Sequence, residues 1–187
     1  MGELARLGAA ALAGIALAAT VQAQESPPTT VPTVMDATLV VKATSYVEQT
    51  AQAGMFEVQS SELALRKSAN PQVRAFAVRM VKDHAAAKEK LKQALAAAKL
   101  DVAPPTALDP EHGQMLETLE AASGADFDRA YLKMQTDGHQ EALRTQLDYR
   151  LHGGSQALQK FADEAATMAQ DHLSMLGKIS QSTQLMQ

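Results

Sequence analysis

The sequence predicts an all-α protein in which four long helices pack together as a bundle. From residue 36 onwards, strong helix formers dominate, namely Ala, Leu, Gln, Lys, Glu and Met. Runs of alternating β-branched residues, which are typical of strands, are missing apart from Thr38–Val41. Apolar residues instead recur every three or four positions, as they do on the buried side of a bundle helix.

The residues before the predicted bundle form two segments. Arg6, the apolar run after it and the small-x-small pattern at 21–23 are typical of a cleaved export signal, so residues 1–23 are predicted to be a signal peptide. An uncleaved N-terminal anchor is the alternative interpretation. Residues 24–35 are rich in Pro and Thr and indicate a flexible linker. The predicted location is the periplasm, with association with the outer membrane as the alternative, and the mature chain is expected to have no membrane span.

The first two long helices are predicted over 36–68 and 71–98. Between them, "SANP" at Ser68–Pro71 places Asn70 at the N-cap and Pro71 at the first helical position. The apolar stripe of the second helix comprises Val73, Phe76, Met80, His84, Ala87, Leu91 and Ala94. Because the turn between the two helices is only a few residues long, we expect them to form an antiparallel hairpin.

A short helix and two further long helices complete the predicted bundle domain, which spans residues 36–182. They are predicted over 109–122, 126–151 and 155–181. Asp109, Asp126 and Ser155 are their expected N-caps. The stripe of the last helix comprises Leu158, Phe161, Ala165, Met168, His172, Met175 and Ile179. The tight turn before Ser155 predicts a second antiparallel hairpin.

The connection between the second and third long helices, residues 99–125, bears on the topology. Its short helix covers ~20 Å and its extended parts could add ~40 Å, so it can run the full length of the bundle. A ferritin-like crossover is therefore allowed. A simple up-down bundle with a folded-back insert is allowed as well.

Composition excludes several classes of function. A net charge of −4 without a basic run argues against a nucleic-acid partner, and the absence of cysteine excludes thiol catalysis and thiolate metal sites. No complete catalytic set or phosphate-binding loop is present, so no enzymatic activity is predicted. An envelope protein or a small ligand remains as the expected partner, and self-association stays open.

The pattern Met-x-x-Asp-His occurs twice, as "MVKDH" at Met80–His84 and "MAQDH" at Met168–His172. On a helix the three named residues fill an arc of about 100°. Since the two methionines belong to the apolar stripes, both histidines are expected to face the interior or its margin. A buried imidazole needs partners for both ring nitrogens, and these can be protein groups, water or a metal ion.

Counting residues from the helix ends places Glu57, His84 and His139 at one depth in a crossover bundle, with His172 about 6 Å away. Side chains of this type could bind a divalent first-row metal such as iron or copper. Methionines four residues before His84 and His172 add a thioether option that copper(I) favours. Glu57, His84, His139 and His172 are thus the candidate metal ligands.

A different interpretation treats His84 and His172 as core histidines satisfied by protein groups, with the methionines filling gaps. Carboxylate-bridged di-iron bundles need Glu-x-x-His, and no histidine here follows a glutamate at that spacing. The residues three positions before the candidate histidines are Val81, Thr136 and Ala169. Ferroxidase or oxygenase chemistry is therefore not predicted.

The chain resembles the exported bacterial family called domain of unknown function 4142, over roughly residues 37–181. The resemblance rests on Gly-x-x-Glu-Val at Gly54–Val58, the Ser-Ala-Asn-Pro turn, "MVKDH", and "DFDRAY" followed by His139. It implies a ferritin-like four-helix bundle in the cell envelope of a Gram-negative-type bacterium, without an established activity. The recurring polar positions that carry over are Glu57, Asp83, His84, Asp128, Tyr131, His139 and His172.

Two functions follow from these observations. The first is a non-enzymatic envelope protein, related to stress, that acts through protein or small-ligand contacts. The second is a ferritin-like bundle that binds iron or copper through the four candidate ligands, supported by Asp83, Asp128 and Tyr131.

Overall fold

The structure, a computed structural model, describes residues 34–184, so the predicted signal peptide and most of the linker lie outside the described residues. Within this range the chain forms five helices and no strand. They are α1 (Val34–Lys67), α2 (Pro71–Ala98), α3 (Pro110–Ala121), α4 (Gly124–His152) and α5 (Gln156–Gln184). The predicted all-α class, with four long helices and a short one in the long connection, is confirmed.

Side-chain caps explain where three of the helices begin. The Asn70 side chain accepts hydrogen bonds from the backbone two and three residues further on, and Pro71 opens α2. Asp109 caps α3 in the same way, and the Ser155 hydroxyl accepts a bond from the backbone N–H three residues later. These three predicted N-caps are confirmed.

The start of α4 differs from the prediction. Asp126 was expected to be its N-cap, but the helix begins at Gly124 with Ser123 in the cap position. Gly124 has a φ of +55°, which a residue without a Cβ adopts at little cost, so the chain turns directly from α3 into α4. Asp126 lies in the first helical turn, where it pairs with Arg129 and complements the positive end of the helix dipole.

The four long helices form a ring in which α1 packs against α2 and α4, while α5 packs against the same two helices. Along the α1–α4 interface, Tyr46 stacks on Tyr149 and Ser61 bonds to Tyr131, so these helices run antiparallel. Since α1–α2 and α4–α5 are antiparallel hairpins, α2 and α4 run in the same direction. The connection after α2 therefore runs back along the bundle as a crossover, and the up-down alternative does not apply.

The core consists of two apolar clusters at different depths along the bundle. The first contains Phe56, Phe76, Met80, Leu119, Phe127, Tyr131 and Leu176 among its buried residues. The second contains Tyr46, Val47, Leu91, Leu95, Tyr149, Leu158 and Phe161. A polar layer with Glu57 and the histidines of α2, α4 and α5 lies between them in register. None of the described helices is apolar over enough residues to cross a membrane.

Candidate metal centre

Each of the four long helices contributes one predicted site residue to the polar layer. Glu57 comes from α1, His84 from α2, His139 from α4 and His172 from α5. Their side chains are almost fully buried, with between 0% and 9% of the side-chain surface exposed. One ring nitrogen from each histidine lies within 4.8 Å of the corresponding nitrogens of the other two. The structure thus brings all four candidate ligands together.

The offset predicted for His172 from its backbone position does not separate its ring from that of His139. His172 Nδ1 lies 3.0 Å from His139 Nε2, so the two rings share one level. Side chains on a helix lean toward its N-terminus. In the antiparallel pair α4–α5 the two rings therefore lean toward each other, which closes the gap of about one turn between their backbone positions.

The partners of His139 and His172 determine which ring nitrogens carry hydrogen. His139 Nδ1 lies 2.7 Å from the carbonyl oxygen of Gln135, which can only accept, so this nitrogen donates. His172 Nε2 lies 3.1 Å from Asp83 Oδ2 and donates to that carboxylate. In uncharged rings the remaining nitrogens, His139 Nε2 and His172 Nδ1, are bare and face each other at 3.0 Å.

This arrangement is the one that metal-binding histidines usually show. A histidine ligand commonly donates its second N–H to a carboxylate or a backbone carbonyl, which fixes the ring and leaves the other nitrogen free for the ion. Without a bound cation, two bare nitrogens at 3.0 Å repel each other. A metal ion that bonds to both nitrogens from one side of the line joining them would turn the repulsive contact into two bonds.

Glu57 connects His139 with the third ring. Its Oε2 lies 3.3 Å from His84 Nδ1 and its Oε1 lies 3.3 Å from His139 Nδ1. Because both contacts are to Nδ1 atoms, the negative charge of Glu57 favours a hydrogen on Nδ1 of His84 and on Nδ1 of His139. His84 Nε2 is buried and has no hydrogen-bond partner, and Glu57 Oε1 likewise makes no hydrogen bond. A buried imidazole nitrogen is unfavourable unless it has a hydrogen-bond partner or binds an ion.

The electrostatic environment keeps two of the rings uncharged at neutral pH. Burial lowers the pKa of His84 by more than the nearby Glu57 carboxylate raises it. Burial also lowers the pKa of His172 to about 4, against the opposing hydrogen bond to Asp83. Since a metal ion binds the neutral imidazole, these ligands need not lose a proton first.

Asp83 remains ionised beside these rings. Burial raises the pKa of its carboxyl, but hydrogen bonds from Arg79 and His172 outweigh that effect and hold the pKa below its ordinary value. Its side chain is 17% exposed, and Arg79 pairs with it from the solvent side. The adjacent Asp83 and His84 of "MVKDH" therefore have different partners. Asp83 contacts the ring of His172, whereas His84 contacts Glu57.

Two glycines leave room next to the centre. A Cβ at Gly54 would lie 3.7 Å from His84 Nδ1, and a Cβ at Gly138 would lie 3.9 Å from Glu57 Oε1. A cavity of about 450 Å³ opens beside the same residues and is lined by Glu57, His84 and His139. The centre therefore has space around it, although glycine inside a helix costs ~1 kcal/mol relative to alanine.

Two of the predicted supporting residues lie away from the centre. Tyr131 and Asp128 precede His139 on α4 by roughly 12 and 16 Å of helix. Tyr131 is completely buried, and its hydroxyl bonds to Ser61 at 2.8 Å. Asp83 is the supporting residue that reaches the histidines.

The methionines of the repeated pattern differ from each other. Met80 is completely buried in the first apolar cluster. Met168 is half-buried and lines the cavity beside the histidines. The structure thus agrees with a packing role for Met80.

Sequence reasoning missed two groups that orient the rings. The Gln135 carbonyl fixes His139, and Arg79 holds Asp83. Arg79 stands four residues before Asp83, a spacing that signals an ion pair on a helix. A backbone carbonyl leaves no signal in the sequence, because every residue has one.

A comparison with family models shows the family of the chain. The model of the family described as "Domain of unknown function (DUF4142)" matches residues 28–179. The chain belongs to this family. No curated protein matches this DUF4142 chain.

Solved structures similar to the DUF4142 chain are helical proteins. A DUF305 fragment from Deinococcus radiodurans has a TM-score of 0.63 at 15% identity, covering 74% of this chain and 94% of its own. CopM in the Cu(II)-bound form has a TM-score of 0.61 at 20% identity, covering 74% and 95%. CopM in the Ag-bound form has a TM-score of 0.59 at 18% identity, with the same coverage. At these identities the likeness shows the fold alone.

Proposed function

We propose that this protein binds one copper(II) ion through His84 Nε2, His139 Nε2 and His172 Nδ1. The observation that carries the proposal is the contact of His139 Nε2 with His172 Nδ1 at 3.0 Å, while the other nitrogen of each ring faces an acceptor and the unpartnered Nε2 of His84 lies in the same buried layer. Glu57 and Asp83 are then the carboxylates that orient the rings and offset the charge of the ion.

The two facing nitrogens are close enough to bind one ion. With metal–nitrogen bonds of about 2.0–2.1 Å, a separation of 3.0 Å corresponds to a nitrogen–metal–nitrogen angle of about 90–100°. Square-planar and tetragonal sites of nitrogen and oxygen ligands, which suit copper(II), have angles in this range. Copper(II) is also the tightest-binding divalent ion of the first row for a given set of such ligands.

Other observations support copper over iron. The ligand set is three imidazoles, and the Glu-x-x-His spacing of di-iron bundles is absent. Glu57 faces ring N–H groups, so it is not placed as a bridging carboxylate. The fold that this chain shares with CopM is one in which a Cu(II)-bound form has been solved.

The test uses the chain without an affinity tag, cleared of metal with a chelator. Copper(II), zinc(II) and iron(II) are added separately, and bound metal is measured by elemental analysis after gel filtration. We expect one equivalent of copper(II), and an electron paramagnetic resonance spectrum with coupling to several imidazole nitrogens. If less than a tenth of an equivalent is bound for every metal and the melting temperature is unchanged, the protein does not bind a metal ion as proposed.

A matched pair of histidine variants checks the site. His139→Asn removes a ligand at the centre, whereas His152→Asn removes an exposed histidine near the end of α4. We expect copper binding to be lost in the first variant and retained in the second. Equal copper content in His139→Asn and the wild type would place the copper elsewhere.

The location in the envelope is a proposal on separate grounds. Residues 1–23 have the features of a signal peptide. Cell fractionation followed by N-terminal sequencing tests this, with a mature start at Gln24 in the periplasmic fraction as the expected result. An intact N-terminus in the membrane fraction would support the anchor instead.

A further inference from the structure

The cavity beside the histidines reaches the surface between α1, α4 and the start of α3. Its floor carries Glu57, His84 and His139, and its mouth carries the exposed carboxylates of Glu48 and Glu111. Several of the lining residues are small, namely Ala53, Ala87, Gly138, Ala142, Ala165 and Ala169. One cavity therefore borders both the exposed carboxylates at the mouth and the buried ligands.

The lining of this cavity is negative. It contains five carboxylates and no lysine or arginine, although the chain has 17 lysines and arginines in total. The carboxylates are Glu48, Glu57, Asp109, Glu111 and Glu141. A cleft lined by charges of one sign concentrates ions of the opposite sign and raises their rate of entry.

Hydrogen bonds attach the crossover connection to α1 near the mouth of the cavity. Gln52 of α1 donates to the carbonyl oxygen of Ala107 at 3.1 Å and accepts from the backbone N–H of Asp109 at 3.0 Å. One buried side-chain amide thus fixes the connection where α3 begins. This contact places Asp109 and Glu111 beside the cavity.

A second approach to the histidines lies between α2 and α5, but most of its charges are paired with one another. The groove there, of about 280 Å³, is lined by Arg79 and Lys90 and by the three carboxylates of Asp83, Glu164 and Asp171. Arg79 covers Asp83, and Lys90 bridges the two helices by pairing with Glu164 at 2.8 Å. Ion pairs thus span this groove and leave it one net negative charge, whereas the cavity lining has five carboxylates, of which Glu141 is paired with Arg144.

We propose that the cavity between α1, α4 and α3 is the entry path by which a hydrated divalent cation reaches the histidines, and that its acidic mouth speeds this entry. The inference rests on the proposed function, since it assumes that the histidines bind the ion. It adds that the ion is taken up as a hydrated cation, because a negatively charged mouth repels anionic metal chelates.

A charge experiment tests the role of the mouth. Copper(II) chloride is mixed in a stopped-flow instrument with the metal-free full chain at low ionic strength, and quenching of tyrosine fluorescence follows uptake. Glu48→Gln/Glu111→Gln removes two charges at the mouth, and Glu62→Gln/Glu117→Gln removes two exposed charges outside the cavity lining. We expect the first variant to take up copper about fivefold to tenfold more slowly and the second to match the wild type.

Salt gives an internal check on this result. The difference between the mouth variant and the wild type should shrink in ~0.5 M sodium chloride, because the charges are then screened over a few ångströms. Equal uptake rates for the two double variants at low ionic strength would overturn the role of the mouth.

A steric experiment tests the path itself. Ala142→Leu narrows the cavity from α4, whereas Ala86→Leu narrows the groove between α2 and α5. We expect slower uptake in Ala142→Leu with an unchanged copper content at equilibrium, and wild-type uptake in Ala86→Leu. The reverse pattern would assign entry to the groove and refute the proposal.

These outcomes separate the inference from the proposed function. If His139→Asn still holds copper, the proposed site is wrong whatever the uptake rates are. If His139→Asn loses copper while both cavity variants load like the wild type, the site stands and the entry path fails. Circular dichroism and melting temperature verify that each variant is folded before its rate is measured.

Discussion

Asp83→Asn isolates the contribution of a carboxylate that touches a ring without contacting the ion. The substitution keeps the shape of the side chain and removes its charge, while the bond from His172 Nε2 at 3.1 Å can persist to the amide oxygen. The proposed ion lies on the far side of that ring, roughly 6–7 Å from the carboxylate oxygen when the metal–nitrogen bond is about 2.1 Å. The variant therefore measures mainly the loss of charge.

The magnitude follows from this distance. A unit charge and a divalent ion at ~6.5 Å attract each other by ~1.3 kcal/mol in a water-like dielectric and by ~5 kcal/mol at an effective dielectric of 20. Asp83 is 17% exposed and paired with Arg79, so the lower part of this range applies. We expect copper(II) affinity to fall about tenfold to a hundredfold, the usual effect of losing a carboxylate that orients a metal-bound histidine.

The assay is a titration of copper(II) against a competing chelator, with Asp171→Asn as the matched control. Asp171 is exposed, adjoins His172 in the sequence and carries the same charge. We expect its variant to bind copper within about threefold of the wild type, because an exposed charge is screened by solvent. If Asp83→Asn and Asp171→Asn weaken binding equally, the hydrogen bond to His172 has no special role and the reasoning fails.

Three further predictions concern the metal-free protein. Burial lowers the pKa of His172 to about 4 in the folded state, whereas an unfolded histidine titrates near 6.5. As the pH falls from 7 to 5, the unfolded chain therefore binds a proton at His172 that the folded chain does not. The free energy of unfolding should fall by about 1–2 kcal/mol over this range. Urea titrations in a chelator should show this loss in the wild type and a smaller one in His172→Asn, and equal slopes would contradict it. Gly177→Ala should raise the free energy of unfolding by about 0.5–1 kcal/mol, because Gly177 lies inside α5 and a Cβ there meets nothing within 4 Å; an unchanged melting temperature would speak against this. Asn70→Ala should lower the free energy of unfolding by ~1 kcal/mol by leaving the first N–H groups of α2 without their cap, whereas Asn70→Asp, measured beside it, should retain most of that stability.

Much of the site could be predicted from the sequence because its residues lie on regular helices. The period of the helix placed His84 and His172 on the buried stripes, and counting from the turns put Glu57, His84 and His139 at one depth. Counting failed for His172 because it follows backbone positions, whereas the rings of His139 and His172 lean toward each other along antiparallel helices. Counting residues also could not show that Asp83 contacts His172 and not His84, its neighbour in the chain.

The sequence alone determined the all-α class, the helix boundaries within a few residues and three of the caps, because these depend on residues close together in the chain. Only the tertiary structure decided that the long connection crosses the bundle and that the bare nitrogens of His139 and His172 meet. Both depend on which helices become neighbours. Protonation of each ring, in turn, depends on partners such as the Gln135 carbonyl and Asp83, whose distance from the ring is set by packing and not by residue type.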